Sequence, residues 1–200
     1  MEKINPQQLH RAAALLKEGK IVAFPTETVY GLGVVYDSRE AFDRLVEIKR
    51  RRPDKPFTLM CSSVGEISKY ATLNPKASAI IKAFLPGELT IIMDVRSSVP
   101  PWVHLGTGHI GIRVPDDDGV REMIRLTGKP LLVPSANRAD QRPLTSDDEV
   151  IKEFEADLDA IVLGHSKGAT PSTVVAAYDK IIMIREGNIS LSQIKKVTGE

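Results

Sequence analysis

Two hundred residues with 42% hydrophobic content are enough for one ordinary domain with a full core, and they exclude a disordered chain. Lys and Arg number 27 against 26 Asp and Glu, so the formal charge is +1, without the broad basic excess of a general nucleic-acid binder. No apolar run approaches the ~20 residues that span a bilayer, Met1-Glu2-Lys3-Ile4-Asn5-Pro6 lacks a secretory h-region, and Cys61 is the only cysteine; a cytoplasmic chain without disulfides or membrane spans is expected.

In chain order, Asn5-Pro6 followed by Leu9, Ala12, Ala13 and Leu16 predicts an amphipathic helix with Asn5 as N-cap, Pro6 at N1 and Gly19 as stop. Ile21-Val22-Ala23-Phe24 shows no alternation, as in a strand buried on both faces. It opens into Pro25-Thr26-Glu27-Thr28-Val29-Tyr30-Gly31-Leu32-Gly33, which is dense in hydroxyls and reads as a binding loop at a strand end, the alternative being an ordinary turn. Ser38 caps a helix that turns Phe42, Leu45, Val46 and Ile48 inward.

Lys49-Arg50-Arg51-Arg52-Pro53-Asp54-Lys55-Pro56 comes next, a cation cluster offset only by Asp54. A bound polyanion would relieve its self-repulsion. Equally, cations at a helix C-terminus meet the negative end of the macrodipole. Phe57-Thr58-Leu59-Met60-Cys61 is a buried strand in which Met60 and Cys61 are core residues, with no catalytic role for Cys61. Helical patterns fill roughly 63–70 and 75–84, and Leu85-Pro86-Gly87-Glu88-Leu89-Thr90 turns into a strand over 90–95.

Residues 97–108 form a Pro- and Gly-rich surface loop anchored by Trp102. The strand His109-Ile110-Gly111-Ile112-Arg113-Val114-Pro115 carries Arg113, which among apolar neighbours needs a counter-anion from the protein or from a ligand. A helix over 116–127 and a strand over 131–134 lead to Ser135-Ala136-Asn137. Thr145 with Asp148 starts a helix near 146–156, strands follow at 160–163, 172–177 and 181–185, and Ser190 with Gln193 boxes a last helix. Strands alternate with helices early and crowd together late, which predicts one α/β domain over residues 1–200 with a mixed, partly parallel sheet.

The chain has no Walker A loop, no dinucleotide glycine fingerprint and no G-x-S-x-G elbow, and its histidines show no metal-ligand spacing, so no protein-held metal is expected. What remains is a set of hydroxyls, amides and cations at strand ends: Thr26, Thr28 and Tyr30; Lys49, Arg51 and Lys55; Thr90; Arg113; Ser135 and Asn137; Ser172; Arg185. Such a set suits electrostatic catalysis on a phosphorylated substrate without a covalent intermediate.

Together, Pro25–Gly33, Lys49-x-Arg51 with Lys55-Pro56, Pro86-Gly87-x-x-Thr90, Gly111-Ile112-Arg113, Pro134-Ser135-Ala136-Asn137, Pro171-Ser172-Thr173-Val174 and Arg185-x-Gly187 resemble the YrdC/YciO/YwlC family from about Ile4 to Ile189. The best-known members of that family are threonylcarbamoyl-AMP synthases. The resemblance implies a twisted open sheet with flanking helices and a positively lined groove. It implies a nucleotidyltransferase that joins L-threonine, bicarbonate and ATP, with Mg²⁺, into threonylcarbamoyl-AMP and pyrophosphate. The product would pass to a tRNA threonylcarbamoyl transferase for modification of adenosine 37. Carried over by position, Lys49, Arg51, Lys55, Ser135, Asn137 and Arg185 fall on the ATP side, with Lys49 and Arg51 catalytic. Thr26, Tyr30, Arg113 and Ser172 fall on the threonine side.

Three departures stand out: Met60 where relatives often have His, His109 where many have Thr, and Arg138-Ala139-Asp140 in place of Leu-Ser-Gly. The first favours a YciO-like paralogue acting on another acyl-adenylate. A further alternative is a module that binds double-stranded RNA or tRNA in the same groove, although aromatics are 5% and no stacking platform is evident.

Overall fold

The computed structural model describes residues 1–50 and 55–199. Its first half runs β1 (Glu2–Ile4), α1 (Leu9–Lys17), β2 (Val22–Phe24), β3 (Gly31–Val35), α2 (Arg39–Lys49), β4 (Leu59–Met60), a 3₁₀ turn (Val64–Lys69), α3 (Pro75–Phe84) and β5 (Leu89–Asp94). The second half runs β6 (His109–Arg113), α4 (Asp118–Thr127), β7 (Leu131–Leu132), α5 (Asp147–Phe154), β8 (Ala160–Val162), β9 (Thr173–Ala176), β10 (Ile182–Arg185) and α6 (Leu191–Thr198). The strands form one open sheet in the order β1-β8-β2-β3-β7-β4-β6-β5-β9-β10. Pairing is mixed: β4 runs parallel to β6 and β9 parallel to β5, whereas β5 is antiparallel to β6. The predicted α/β class and mixed sheet are therefore observed.

Alternation across the sheet separates two apolar layers. Leu32, Leu59, Ile91, Ile110, Ile112 and Val175 belong to a larger core on one face. Phe24, Met60, Leu131 and the inner residues of α1 and α4 form a second core on the other. Met60 pairs in register with Arg113, and the β5–β6 register sets Thr90 level with Arg113, so all three point to that second face. Helices α1 and α4 cover this face at the β2 end. At the β6-β5-β9-β10 end it is open, and the cavity lies there.

Several local expectations change. The first helix begins at Leu9 with Gln8 at its N-cap; Asn5 instead closes a turn, its Oδ1 accepting from the Gln7 amide at 3.0 Å. The capping box of α5 is Ser146 with Glu149, not Thr145 with Asp148. Two strands were not predicted. β1 is a short polar edge that pairs parallel with β8, and β3 lies within and beyond the expected binding loop. Its glycines are a packing requirement: a Cβ on Gly31 would sit 2.5 Å from Val133 Cγ1, and one on Gly33 2.6 Å from the Phe24 ring. Trp102 anchors its loop as expected, its ring 5.2 Å from that of Phe42. Arg51 and the middle of the basic run lie outside the described residues.

Candidate active site

A cavity of about 630 Å³ occupies the open face. Its floor is Ile92 and Thr90 of β5, Gly111 of β6, and Val174 and Ala176 of β9. One wall comes from the β2–β3 loop (Thr26, Thr28, Tyr30), a second from Lys55–Thr58 and Ser135, and a third from Ser172, Tyr178, Ile184 and Arg185. Strand directions sort these groups. Because β9 opposes β6, Ser172 stands beside Arg113 at the carboxyl end of β6, while Tyr178 stands beside His109 at the amino end. The segment leading into β4 and the one leaving β7 also approach from the His109 end, bringing Lys55 and Ser135 there.

At the Arg113 end the β2–β3 loop is held by its own hydroxyls. Thr26 Oγ1 donates to Val29 O at 2.8 Å and accepts from the Thr28 amide at 3.1 Å. This fixes Thr28 Oγ1, which accepts from Arg113 Nη1 at 3.0 Å. Arg113, 5% exposed, is ion-paired with Glu27, its Nη2 2.8 Å from Oε1 but out of line for a hydrogen bond. Glu27 Oε1 also accepts from the Asp116 amide at 2.8 Å. The counter-anion of Arg113 is thus supplied by the protein. Since the guanidinium has five N–H donors, the pair orients it without exhausting it.

Arg185 completes that end. Its Nε and Nη2 donate to Ser172 O at 3.0 and 2.7 Å, and Ser172 Oγ lies 3.1 Å from Thr90 Oγ1. Burial, and then the like charge of Arg113, hold the Arg185 guanidinium below its ordinary pKa. Among the described residues no carboxylate pairs with Arg185. Two cations against the single carboxylate of Glu27 leave one net positive charge beside three hydroxyls. The Arg185-x-Gly187 spacing has a steric cause as well: a Cβ on Gly187 would meet Pro171 O at 2.5 Å and Thr173 N at 2.8 Å.

The other expected residues divide between lining and support. Lys55 and Ser135 line the cavity, whereas Lys49 and Asn137 do not. Lys49 is 2% exposed, and its Nζ donates to Ser135 O and Asn137 O, each at 2.6 Å, and to Asn137 Oδ1 at 3.1 Å. Asn137 Oδ1 also accepts from Ser135 Oγ, and its amide nitrogen donates to Arg138 O and Gln141 O. These two residues shape the loop that presents Ser135. Arg138, at the departure from Leu-Ser-Gly, ties the same loop down through ion pairs to Glu153 and Asp157. Tyr30 contributes its ring to the wall, while its hydroxyl donates to Val162 O and Gly164 O, both at 2.9 Å.

Cys61 is buried away from the lining, and burial pushes its thiol well above the ordinary range, which suits a core residue. Glu27, the partner of Arg113, is a residue of this end that sequence reasoning passed over. Its signal was present: an unpaired Arg in an apolar strand demands a carboxylate, and Glu27 is the one acid within the hydroxyl-rich loop. Two rings that lie far apart in the sequence also meet on the lining. The His109 and Tyr178 rings lie 3.8 Å apart at 11° on the cavity wall. Among the described residues no helix is long and apolar enough to cross a membrane, and no group of three or more His, Cys, Asp or Glu could hold a metal ion.

The family model for Sua5, YciO and YrdC proteins, described as telomere recombination, matches residues 14–187. The chain belongs to this family. Among family members, it is 35% identical over 199 residues to a threonylcarbamoyl-AMP synthase of Bacillus subtilis, covering 98% of this chain and 58% of the relative. A Methanocaldococcus jannaschii protein that carries the same name provisionally is 36% identical over 200 residues, covering 97% of this chain and 94% of the relative. The crystal structure of Pyrococcus abyssi Sua5 complexed with L-threonine superposes with a TM-score of 0.92 at 30% identity, covering all of this chain and 61% of the other. The chain therefore spans about three fifths of the Bacillus and Pyrococcus proteins.

Proposed function

We propose that the chain is a threonylcarbamoyl-AMP synthase, a nucleotidyltransferase that converts L-threonine, bicarbonate and ATP into threonylcarbamoyl-AMP and pyrophosphate. The observation that carries this reading is the Arg113 end of the cavity, with its single net positive charge and the hydroxyls of Thr28, Thr90 and Ser172. That is complementary to one carboxylate bearing a hydroxylated side chain, and the Pyrococcus relative is complexed with L-threonine. Thr26, Tyr30, Arg113 and Ser172 form the threonine side, with Glu27 and Thr28 orienting Arg113. Lys55 and Ser135 meet the phosphates directly, and Arg51, outside the described residues, is assigned to the same side by the family resemblance alone. Lys49 and Asn137 act through the loop that holds Ser135. Arg185, beside Ser172 at the Arg113 end, falls on the ATP side by the family pattern, so its charge is shared between the threonine carboxylate and the α-phosphate.

In the reaction the threonine amine adds to the bicarbonate carbon and water leaves, giving the carbamate. A carbamate oxygen then attacks the α-phosphorus, and the bond to the bridging oxygen breaks with its electron pair departing on pyrophosphate. The protein's part is to hold the short-lived carbamate beside the phosphorus and to offset charge on the phosphates. Mg²⁺ held by the triphosphate oxygens would offset further charge on the departing pyrophosphate. The product is an activated acyl group that a downstream tRNA threonylcarbamoyl transferase would consume, in the cytoplasm.

The deciding measurement is pyrophosphate release with each substrate omitted in turn, together with the mass of the product. Release that needs both threonine and bicarbonate is expected. ATP binding with turnover that ignores threonine would instead assign a YciO-like enzyme with another acyl-adenylate. Salt-sensitive RNA binding without ATP turnover would assign a nucleic-acid module.

A further inference from the structure

At the end of the cavity opposite Arg113, His109 and Tyr178 stack face to face, 3.8 Å between centroids and 11° from parallel. They come from different elements. His109 opens β6, and Tyr178 follows β9, on the far side of β5. The pair is not core packing: Tyr178 joins neither apolar cluster, and both residues line the cavity.

The tyrosine's backbone is held in place from behind, and the histidine stands beside Asp94 on the neighbouring strand. The Asn74 side-chain amide donates to Ala177 O at 2.6 Å and Tyr178 O at 3.4 Å, fixing the backbone that carries the tyrosine. His109 Nδ1 lies 3.1 Å from Asp94 Oδ1, out of line for a hydrogen bond. The floor beside the rings is Ile92, Gly111 and Ala176, smooth and without side-chain donors or acceptors. Thr107 Oγ1, also on the lining, already donates to His104 O at 2.7 Å.

We infer that His109 and Tyr178 form a stacking shelf for the nucleobase of the nucleoside triphosphate, one that reads the face of a purine rather than its edge. This inference rests on the nucleotide reading proposed above and adds to it the residues that hold the base. Three observations support it. The span from His109 to Arg113 is four residues of strand, about 13 Å at roughly 3.3 Å per residue, which leaves room for a ribose between the base and the reacting phosphorus. Lys55 and Ser135 flank the same end, so a triphosphate can lie beside its base. A parallel ring pair at a cavity wall offers a flat, polarisable surface that a third ring can extend, and such stacking tolerates different bases.

The test compares ATP, GTP, UTP and inorganic tripolyphosphate by calorimetric titration of the intact protein. Wild type is expected to bind ATP and GTP within about threefold of each other and UTP more weakly, since a smaller ring stacks less. His109→Ala and Tyr178→Ala should each weaken ATP and GTP by about tenfold while leaving tripolyphosphate affinity unchanged. His109→Phe and Tyr178→Phe, which keep a flat ring, should restore the purine affinity and guard against a variant that fails to fold. Unchanged ATP affinity in both alanine variants overturns the shelf and leaves the synthase reading standing. So does an equal loss for ATP and tripolyphosphate, because the rings would then be acting on the phosphates or on the fold. Failure of the wild type to bind any nucleoside triphosphate overturns both readings.

Discussion

Lys49 is 2% exposed and Arg113 5% exposed, and each is a cation in a segment that the sequence marks for an anion. Around Lys49 three oxygen acceptors from Ser135 and Asn137 match the three ammonium protons, and the side chain stays off the cavity lining. Around Arg113 one carboxylate, the Thr28 hydroxyl and Gly87 O engage part of a five-donor fork on the cavity lining. Lys49 directs its donors at one loop, and Arg113 carries donors on the cavity lining. Burial of a cation does not by itself identify a binding residue. What matters is how many of its donors the protein has already satisfied, and in which direction the others point.

The sharpest way to break this contrast is at Arg113. Arg113→Ala should abolish threonine-dependent pyrophosphate release and, by stranding Glu27 in a buried site, lower stability by about 3–5 kcal/mol. Arg113→Lys keeps the charge and loses the fork. It should raise the KM for threonine far more than that for ATP, as steady-state kinetics with each substrate varied would show. An ATP-specific defect would mean that the two ends of the cavity are wrongly assigned.

Lys49→Ala tests the other half of the comparison. Three buried acceptors lose a charged donor, so denaturant unfolding should show a loss of about 1.5–3 kcal/mol, with ATP affinity falling by about tenfold as the Ser135 loop relaxes. A variant that keeps its stability and loses only ATP would make Lys49 a direct phosphate ligand, erasing the distinction from Arg113.

A Gly187→Ala change is expected to cost about 1–3 kcal/mol, since backbone atoms of Pro171 and Thr173 must move to admit the methyl group. Those movements displace Ser172, so the KM for threonine should rise while that for ATP changes less. The smallest effect belongs to Cys61→Ala, a loss of about 1 kcal/mol from the core with turnover retained. Lost turnover in a folded Cys61→Ala protein would contradict the non-covalent mechanism.

Most of the scaffold was legible because its elements carry local signals: unbroken apolar runs for β2 and β4, capped amphipathic patterns for α2 and α6. β3 was hidden because Gly31 and Gly33 read as turn residues, and the reason for them is the side chain of Phe24 or Val133 on a neighbouring strand. β1 was hidden because a three-residue polar strand exists only through its pairing with β8. The same limit applies at the site. Each lining residue could be nominated from a strand end, but the Arg113–Glu27 pair, the Lys49 hydrogen bonds and the His109–Tyr178 stack join segments far apart in the sequence and arise only in the folded arrangement of strands, loops and α2.

The cavity takes lining residues from Thr26 through to Arg185. A ligand bound there joins segments that are far apart along the chain, and it acts on the folding equilibrium as a reversible cross-link. At a hundred times its dissociation constant, a ligand that binds only the folded chain adds about 2.7 kcal/mol to stability. A fragment ending before β9 would lack Ser172 and Arg185 and could not gain that increment in full. Substrate concentration therefore shifts the folding equilibrium of the whole domain, and the melting temperature keeps rising with ligand even after the site is full.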